Sequence, residues 1–264
     1  MPRRQDGDRS VPTAENPAPP TPPAQVNDYD SFAESYAAQN ETSLQNAGIE
    51  RPAMLSLAGD VAGRRILDAG CGAGPLLAAL RDRGALVTGV DSSAGMLELA
   101  RRRLGAEADL RVADLGDPLP FADGAFDIVV ASLVLHYLED WGPTLSEMRR
   151  VLGPGGKLIA SVQHPFVDYV IQDPRPNYFE TTDYTDDWAE LVGQPAPMRF
   201  WRRSLQAMTG SFTAAGFRLA VISEPQVDPA ARELYPDEFR NPTLSFMLFA
   251  LEVPPEPATG SAAS

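Results

Sequence analysis

Apolar and polar positions along this chain switch repeatedly between a helical and a strand-like period. "YDSFAESYAAQ" and "RPAMLSLAGDV" carry apolar residues at helical spacing. "RRILDAG" reads as a short buried strand that ends in glycine. "PLLAALRDRG" is a helix with proline at its start and glycine at its end. "ALVTGVD" is a strand, and "SAGMLELARRRL" is a helix capped by Ser92 or Ser93. "LRVAD" is a short strand. "AFDIVVASLVL" is an unbroken apolar run, suited to a central strand covered on both faces. "TLSEMRRVLGPGG" is a helix with a glycine stop, and "KLIASVQ" is a strand.

Residues 165–203 break this rhythm. It returns with a helix, "SLQAMTGSFTAAG", a strand, "FRLAVISEP", a short helix near "PAARELYP" and a last strand, "LSFMLFALEV". Strict alternation predicts an α/β fold, doubly wound, with a mostly parallel sheet and helices on both faces. Residues 1–26, with "NPAPPTPPA", read as a disordered leader, and 254–264 as a disordered tail. Between them, 27–253 form one domain, with 165–203 as an insertion.

Charge narrows the partners. The net charge of −14 disfavours nucleic acid and anionic membrane surfaces. The basic run Arg101-Arg102-Arg103 reads as a solvated helix face. The single cysteine, Cys71, allows no internal disulfide and fits a reducing compartment. The two histidines have no partner at metal-ligand spacing, so no metal site is expected. No signal-peptide core or membrane span is evident. The expectation is a soluble cytoplasmic protein, monomeric or homodimeric.

The candidate chemistry lies in "RRILDAGCGAGPLLAAL". A doubly wound sheet binds ligands beyond the carboxyl ends of its strands. Gly70, Gly72 and Gly74 fall in such a turn, where backbone without Cβ atoms lets a ligand lie close. Asp91 ends the next strand, 19 residues after Gly72, and can accept both hydroxyls of a ribose. The six positions from Gly70 read G-C-G-A-G-P, so the dinucleotide pattern GxGxxG is incomplete. Asp68, just before the turn, would repel a pyrophosphate and suits a cationic amine.

At this point the residues resemble the class I S-adenosylmethionine-dependent methyltransferases, in the branch that acts mainly on small molecules. "LDAGCGAG" is similar to that family's first motif, and "VTGVDSSAGML" to its second-strand segment. "VADLGDPLPFADGAFDIVVASLVLHYLED" resembles the stretch through the fourth strand, and "EMRRVLGPGGKLIAS" the fifth-strand motif. The resemblance implies a Rossmann-like, seven-stranded sheet and S-adenosyl-L-methionine as cofactor. By the same resemblance, Asp68 orients the methionine ammonium, and Gly70 and Gly72 pass under the methionine and ribose. Asp91 takes the ribose hydroxyls. Ser92 and Met96 flank the adenine, and Asp114 with the backbone at Leu115 bonds its edge. Ser132 and Leu133 supply backbone contacts near the methionine, and Tyr29, with Tyr36, closes over the cofactor.

Methyl transfer needs an aligned nucleophile and exclusion of water. A base is needed only where the nucleophile carries a tightly held proton. His136, after the fourth strand, is the first candidate, His164 the second and Tyr137 the third. The insertion holds eight aromatic residues in 39, from Phe166 to Trp201, and reads as a lid over a small, aromatic or apolar acceptor. Competing readings are an RNA or protein methyltransferase, a non-catalytic binding protein of the same fold, and a nicotinamide-dependent oxidoreductase.

Overall fold

The computed structural model describes residues 25–227, Glu233 and 244–255. The leader before residue 25, the tail beyond residue 255 and, apart from Glu233, the helix expected near "PAARELYP" lie outside the described residues.

The apolar runs form seven strands of one sheet. They are β1 (Arg65–Ala69), β2 (Leu86–Asp91), β3 (Asp109–Val112), β4 (Phe126–Ser132), β5 (Leu152–Gln163), β8 (Arg218–Ser223) and β9 (Phe246–Glu252), in the order β3-β2-β1-β4-β5-β9-β8. All are parallel except β9, which runs antiparallel to both neighbours. Strand order reverses between β1 and β4, which places the crevice for a ligand above their carboxyl ends.

Alternation along the strands decides which helix covers which face. Ile66, Ile128, Val130 and Ile159 face α2 (Arg51–Ala58) and α3 (Pro75–Asp82). Leu67, Val129, Leu158 and Ala160 face α5 (Gly142–Val151) and α8 (Leu205–Ala214). Helix α4 (Ala94–Leu104) packs Leu97 and Ala100 on Leu77 and Leu110. Ser93 caps α4, its hydroxyl accepting from the Met96 N–H.

The N-terminal segment begins as a 3₁₀ turn, Tyr29–Phe32, and continues as α1 (Ala33–Thr42). A seven-residue π-helical stretch, Leu44–Glu50, then leads into α2. The hydrophobic periodicity gave no sign of this last element.

Within the insertion, α6 (Pro165–Val170) is followed by a hairpin of β6 (Thr182–Asp187) and β7 (Pro197–Arg202), joined through α7 (Ala189–Val192). Met198 and Phe200 of β7 are buried with Phe32, and Tyr29, Tyr36, Tyr137, Tyr184 and Trp188 pack around them. The fully buried Arg202 donates to the carbonyls of Asn177, Tyr178 and Glu180, which stitches the loop before β6 to β7. Tyr184 donates to Gln163 at the end of β5. The insertion is therefore a packed part of the domain, with its own small core.

Phe200→Ala removes the ring at the centre of that core. Equilibrium urea unfolding should show a loss of about 3–5 kcal/mol. A loss under about 1 kcal/mol would mean that the insertion does not pack as described.

Candidate functional site

The chain leaves β1 at Ala69 and turns through Gly70, Gly72 and Gly74, all with positive φ (83°, 53° and 75°). Their roles differ. A Cβ on Gly70 would lie 2.6 Å from Cγ2 of Val134, and one on Gly74 would press on Ala100 and Leu104 at 3.3 Å. Gly70 and Gly74 thus allow close packing. A Cβ on Gly72 would meet nothing within 4 Å, because this glycine faces the cavity.

The Asp91 carboxylate fixes the turn. One oxygen accepts from the Gly72 N–H at 2.8 Å, and the other from the Ser93 N–H at 2.9 Å. Burial raises its pKa, and these backbone donors hold it down. Asp91 therefore ties the β1–α3 turn to the β2–α4 turn. It retains further lone pairs for a ligand.

These turns bound a cavity of about 320 Å³. Tyr29, Asp68, Gly70, Gly72, Asp91, Ser92, Met96, Asp114, Leu115 and Ser132 all line it, as do Tyr36, Leu133 and Tyr137. Asp114 closes a small turn by accepting from the Gly116 N–H. The carbonyl of Leu115 accepts from Thr144. Met96 is both cavity wall and core, packed with Ala33 and Ala73. Leu133 has a φ of 50°, a strained value for a side-chain-bearing residue, and its N–H donates to Ser161.

Asp68 is 1% exposed, and its Oδ1 has no hydrogen-bond partner. Burial drives its pKa well up, and Glu50 and Asp91 add to the rise. A buried carboxylate in this condition fits a cationic ligand group, which would relieve both the desolvation and the repulsion. The glycine turn and this carboxylate together fit the methionine and ribose parts of S-adenosylmethionine.

The structure places both candidate histidines outside the cavity. His136 does not line the cavity. It is 5% exposed, packed edge-on against Tyr137 and Phe200, with its pKa pushed down to about 3 by burial and by Arg203. His164 caps α6, and it does not line the cavity either. Its Nδ1 accepts from the Phe166 N–H, so Nε2 bears the proton and donates to Glu224 at 3.1 Å. No residue of the insertion, 165–203, lines this cavity, so the expected lid does not reach it directly. Its aromatics instead back the tyrosines that do: Trp188 stacks on Tyr36, and Phe200 packs tilted against Tyr137.

The arginine run is solvated at Arg102 and Arg103, as expected, and it also carries ion pairs to α1. Arg102 pairs with Glu34, and Arg103 pairs with Glu41 and donates to the Ala73 carbonyl. Both clamp α1 onto α4. Asp30 was missed: it accepts from Ser93 Oγ and the Gly95 N–H, both at 2.6 Å, and these bonds lower its pKa. Its partner lies 63 residues away, beyond the reach of any local sequence signal. Glu50, buried and lining the cavity, was missed as well. Among the described residues, no three or more His, Cys, Asp or Glu side chains are placed to hold a metal, and no helix is long and apolar enough to cross a membrane.

A parallel sheet with a nucleoside-sized crevice at its switch point, floored by an unpaired carboxylate, defines a Rossmann-like enzyme class that accepts a cationic nucleoside. Comparison with known proteins agrees. Residues 67–160 match the family model described as a methyltransferase domain. The chain is 32% identical over 202 residues, 72% of its length and 80% of the other's, to the ubiquinone/menaquinone biosynthesis C-methyltransferase UbiE of Desulfotalea psychrophila. It is 39% identical over 141 residues to a demethylmenaquinone methyltransferase of Clavibacter sepedonicus, covering 52% of this chain and 57% of that one. An S-adenosylmethionine-dependent methyltransferase from Mesorhizobium loti superposes with a TM-score of 0.65 at 26% identity, covering 81% of this chain and 99% of that one. The chain belongs to the class I S-adenosylmethionine-dependent methyltransferase family.

Two predictions follow from the floor of the site. The folded-state pKa of Asp68 lies above its ordinary 3.8, so the folded chain holds the extra proton. Stability from this group is complete below 3.8 and is lost as pH rises through the elevated value. Asp68→Asn should therefore raise the melting temperature of the ligand-free protein at pH 8 by roughly 2–4 °C, while S-adenosylhomocysteine no longer stabilises it. A fall in melting temperature with ligand response intact would contradict the assignment. Separately, Gly72→Ala should fold with a strain cost of about 1–2 kcal/mol yet bind S-adenosylhomocysteine poorly. Gly70→Ala, which must also displace Val134, should lose more stability in the same thermal scan.

Proposed function

We propose that this protein transfers a methyl group from S-adenosylmethionine to an oxygen, nitrogen or carbon of a small aromatic or apolar acceptor. The observation that carries the reading is the buried, unpartnered Asp68 carboxylate beside the open face of Gly72. When bound, S-adenosylmethionine supplies a methyl on a positively charged sulfur. Asp68 would hold the ammonium, Asp91 the ribose hydroxyls, and Asp114 with the Leu115 backbone the adenine edge. Ser92 and Met96 would flank the base, and Ser132 and Leu133 would meet the methionine end.

The acceptor side is supported by the tyrosines. Tyr29 and Tyr137 share a hydrogen bond of 2.5 Å between their hydroxyls. Burial drives both pKa values well up, so both phenols stay protonated. Such a pair orients an acceptor by hydrogen bonding and excludes water. It is not a base in the resting state. With His136 and His164 packed away from the cavity, the reading needs no imidazole step. An acceptor of the quinol type agrees with the names of the relatives above, and the apolar wall of Leu133, Val134 and Leu138 suits a ring.

The test is release of S-adenosylhomocysteine from S-adenosylmethionine with a panel of small phenols and hydroquinones, set beside RNA and unfolded protein. Turnover is expected with the small aromatics. Turnover confined to RNA or protein would overturn the acceptor class. With an acceptor in hand, Tyr137→Phe should lower kcat/KM by about tenfold, the value of one hydrogen bond at a buried site, while the Kd for S-adenosylhomocysteine moves less than about twofold. His136→Ala should affect stability more than kcat.

A further inference from the structure

One buried carboxylate in the cavity has no part in the roles above. Glu50 ends the π-helical stretch and immediately precedes α2. It is 3% exposed and lines the cavity. Its Oε1 accepts from Ser132 Oγ at 2.7 Å and from Ser161 Oγ at 2.6 Å. Both hydroxyls go to one oxygen, which leaves Oε2 outside this network.

Sheet register places Glu50 relative to Asp68. Asp68 pairs with Val130, and Ser132 with Ser161. Residues two apart on a strand share a face. Asp68, Ser132 and Ser161 therefore stand on the same face of three adjacent strands, at their carboxyl ends. This is the face that α2 covers. Glu50 descends on that face from the start of α2, bonds to the serines on β4 and β5, and is close enough to Asp68 on β1 to raise its pKa. Burial raises the pKa of Glu50 too, against the pull of its two serines and of the neighbouring Arg51 charge.

Two acids forced together in a buried site are unfavourable without a cation between them. The serines do not supply one. They fix where the Glu50 carboxylate sits, and Ser161 also takes the N–H of the strained Leu133. A π-helical segment and two serine hydroxyls hold one carboxylate in place, and the strained Leu133 shares one of those serines. Such features gather at ligand sites. An ammonium carries three donors and, once buried, requires an acceptor for each. Asp68 Oδ1 and Glu50 Oε2 offer two.

We propose that Glu50 is a cofactor-contacting residue that forms, with Asp68, a two-carboxylate seat for the ammonium of the methionine moiety. The proposal rests on the reading of this cavity as the S-adenosylmethionine site. It differs from a role for Glu50 as a base toward the acceptor, which would leave cofactor affinity untouched.

The test is calorimetric titration of the full chain with two probes. S-adenosylhomocysteine carries the ammonium, and 5′-methylthioadenosine lacks the whole amino-acid end. Gln in place of Glu50 can still accept from both serines, so Glu50→Gln removes the charge and keeps the network. Its affinity for S-adenosylhomocysteine should fall at least about tenfold, as for loss of a charge-assisted hydrogen bond, with less than about a twofold change for 5′-methylthioadenosine. Glu50→Asp, which keeps the charge, should recover part of the loss. If Glu50→Gln fails to fold, Glu50→Asp carries the comparison, with a smaller loss confined to S-adenosylhomocysteine. Equal weakening of both probes, or unchanged affinity for S-adenosylhomocysteine with turnover lost, would overturn the seat. Wild-type protein that binds neither probe would overturn the reading of the cavity itself.

Discussion

The Asp68 carboxylate is buried on the first strand of the sheet with one oxygen unsatisfied. Such a group costs the fold free energy that a ligand of opposite charge would return. The cations that line the cavity do not complete it. Arg103 is held by Glu41 and the Ala73 carbonyl, and Arg51 donates to Asn40. Glu50 and Asp91 add negative charge from two further directions. The floor of the site is therefore electrostatically incomplete by construction. Charge of the opposite sign is what it selects, before any contact with a nucleoside base or an acceptor is made.

Geometry around that floor is held by a small number of acids that join segments far apart in the chain. Asp91 grips the Gly72 and Ser93 amides, and Asp30 grips Ser93 and Gly95. The glycine turn, the start of α4 and the N-terminal 3₁₀ turn thus form one rigid corner. Farther along α1, Arg102–Glu34 and Arg103–Glu41 are partly exposed ion pairs, worth at most about 1 kcal/mol each. Apolar contacts of Phe32 and Ala33 do more of the holding. The wall that Tyr29 and Tyr36 build is accordingly firm at the corner and lightly attached at the far end of α1.

The strands and the glycine turn were legible because their signals are local. An apolar run, a terminal glycine and a capping serine each act within a few residues. Ten expected cofactor contacts line one cavity for the same reason, since all but Tyr29 and Met96 sit at a strand end or in the turn after it. Direction was not legible. His136 and Tyr137 both follow β4, but they occupy a 3₁₀ turn, Leu135–Tyr137, where adjacent side chains point about 120° apart. Tyr137 reaches the cavity and His136 turns into the insertion's core. Glu50 and Asp30 were illegible for another reason. Their partners lie 63 to 111 residues away, and no short pattern encodes such a pairing. The hairpin strand "TDYTDD" is mostly exposed and acidic, so it lacks the apolar alternation that would mark it as a strand.

The position of the insertion changes how acceptor selection should be understood. Its aromatics lie one layer behind the cavity, with Trp188 flat against Tyr36 at 5.6 Å and Phe200 tilted against Tyr137 at 5.3 Å. In a close-packed interior, a change of one methylene in a supporting layer moves the layer in front of it. On the proposed function, the tyrosines form the acceptor-facing surface, and the insertion packs behind them. Sequence change in 165–203 can then alter which acceptor fits without any residue of that segment touching it. On that reading the carboxylate floor and the glycine turn lie apart from the layer that shapes the acceptor side.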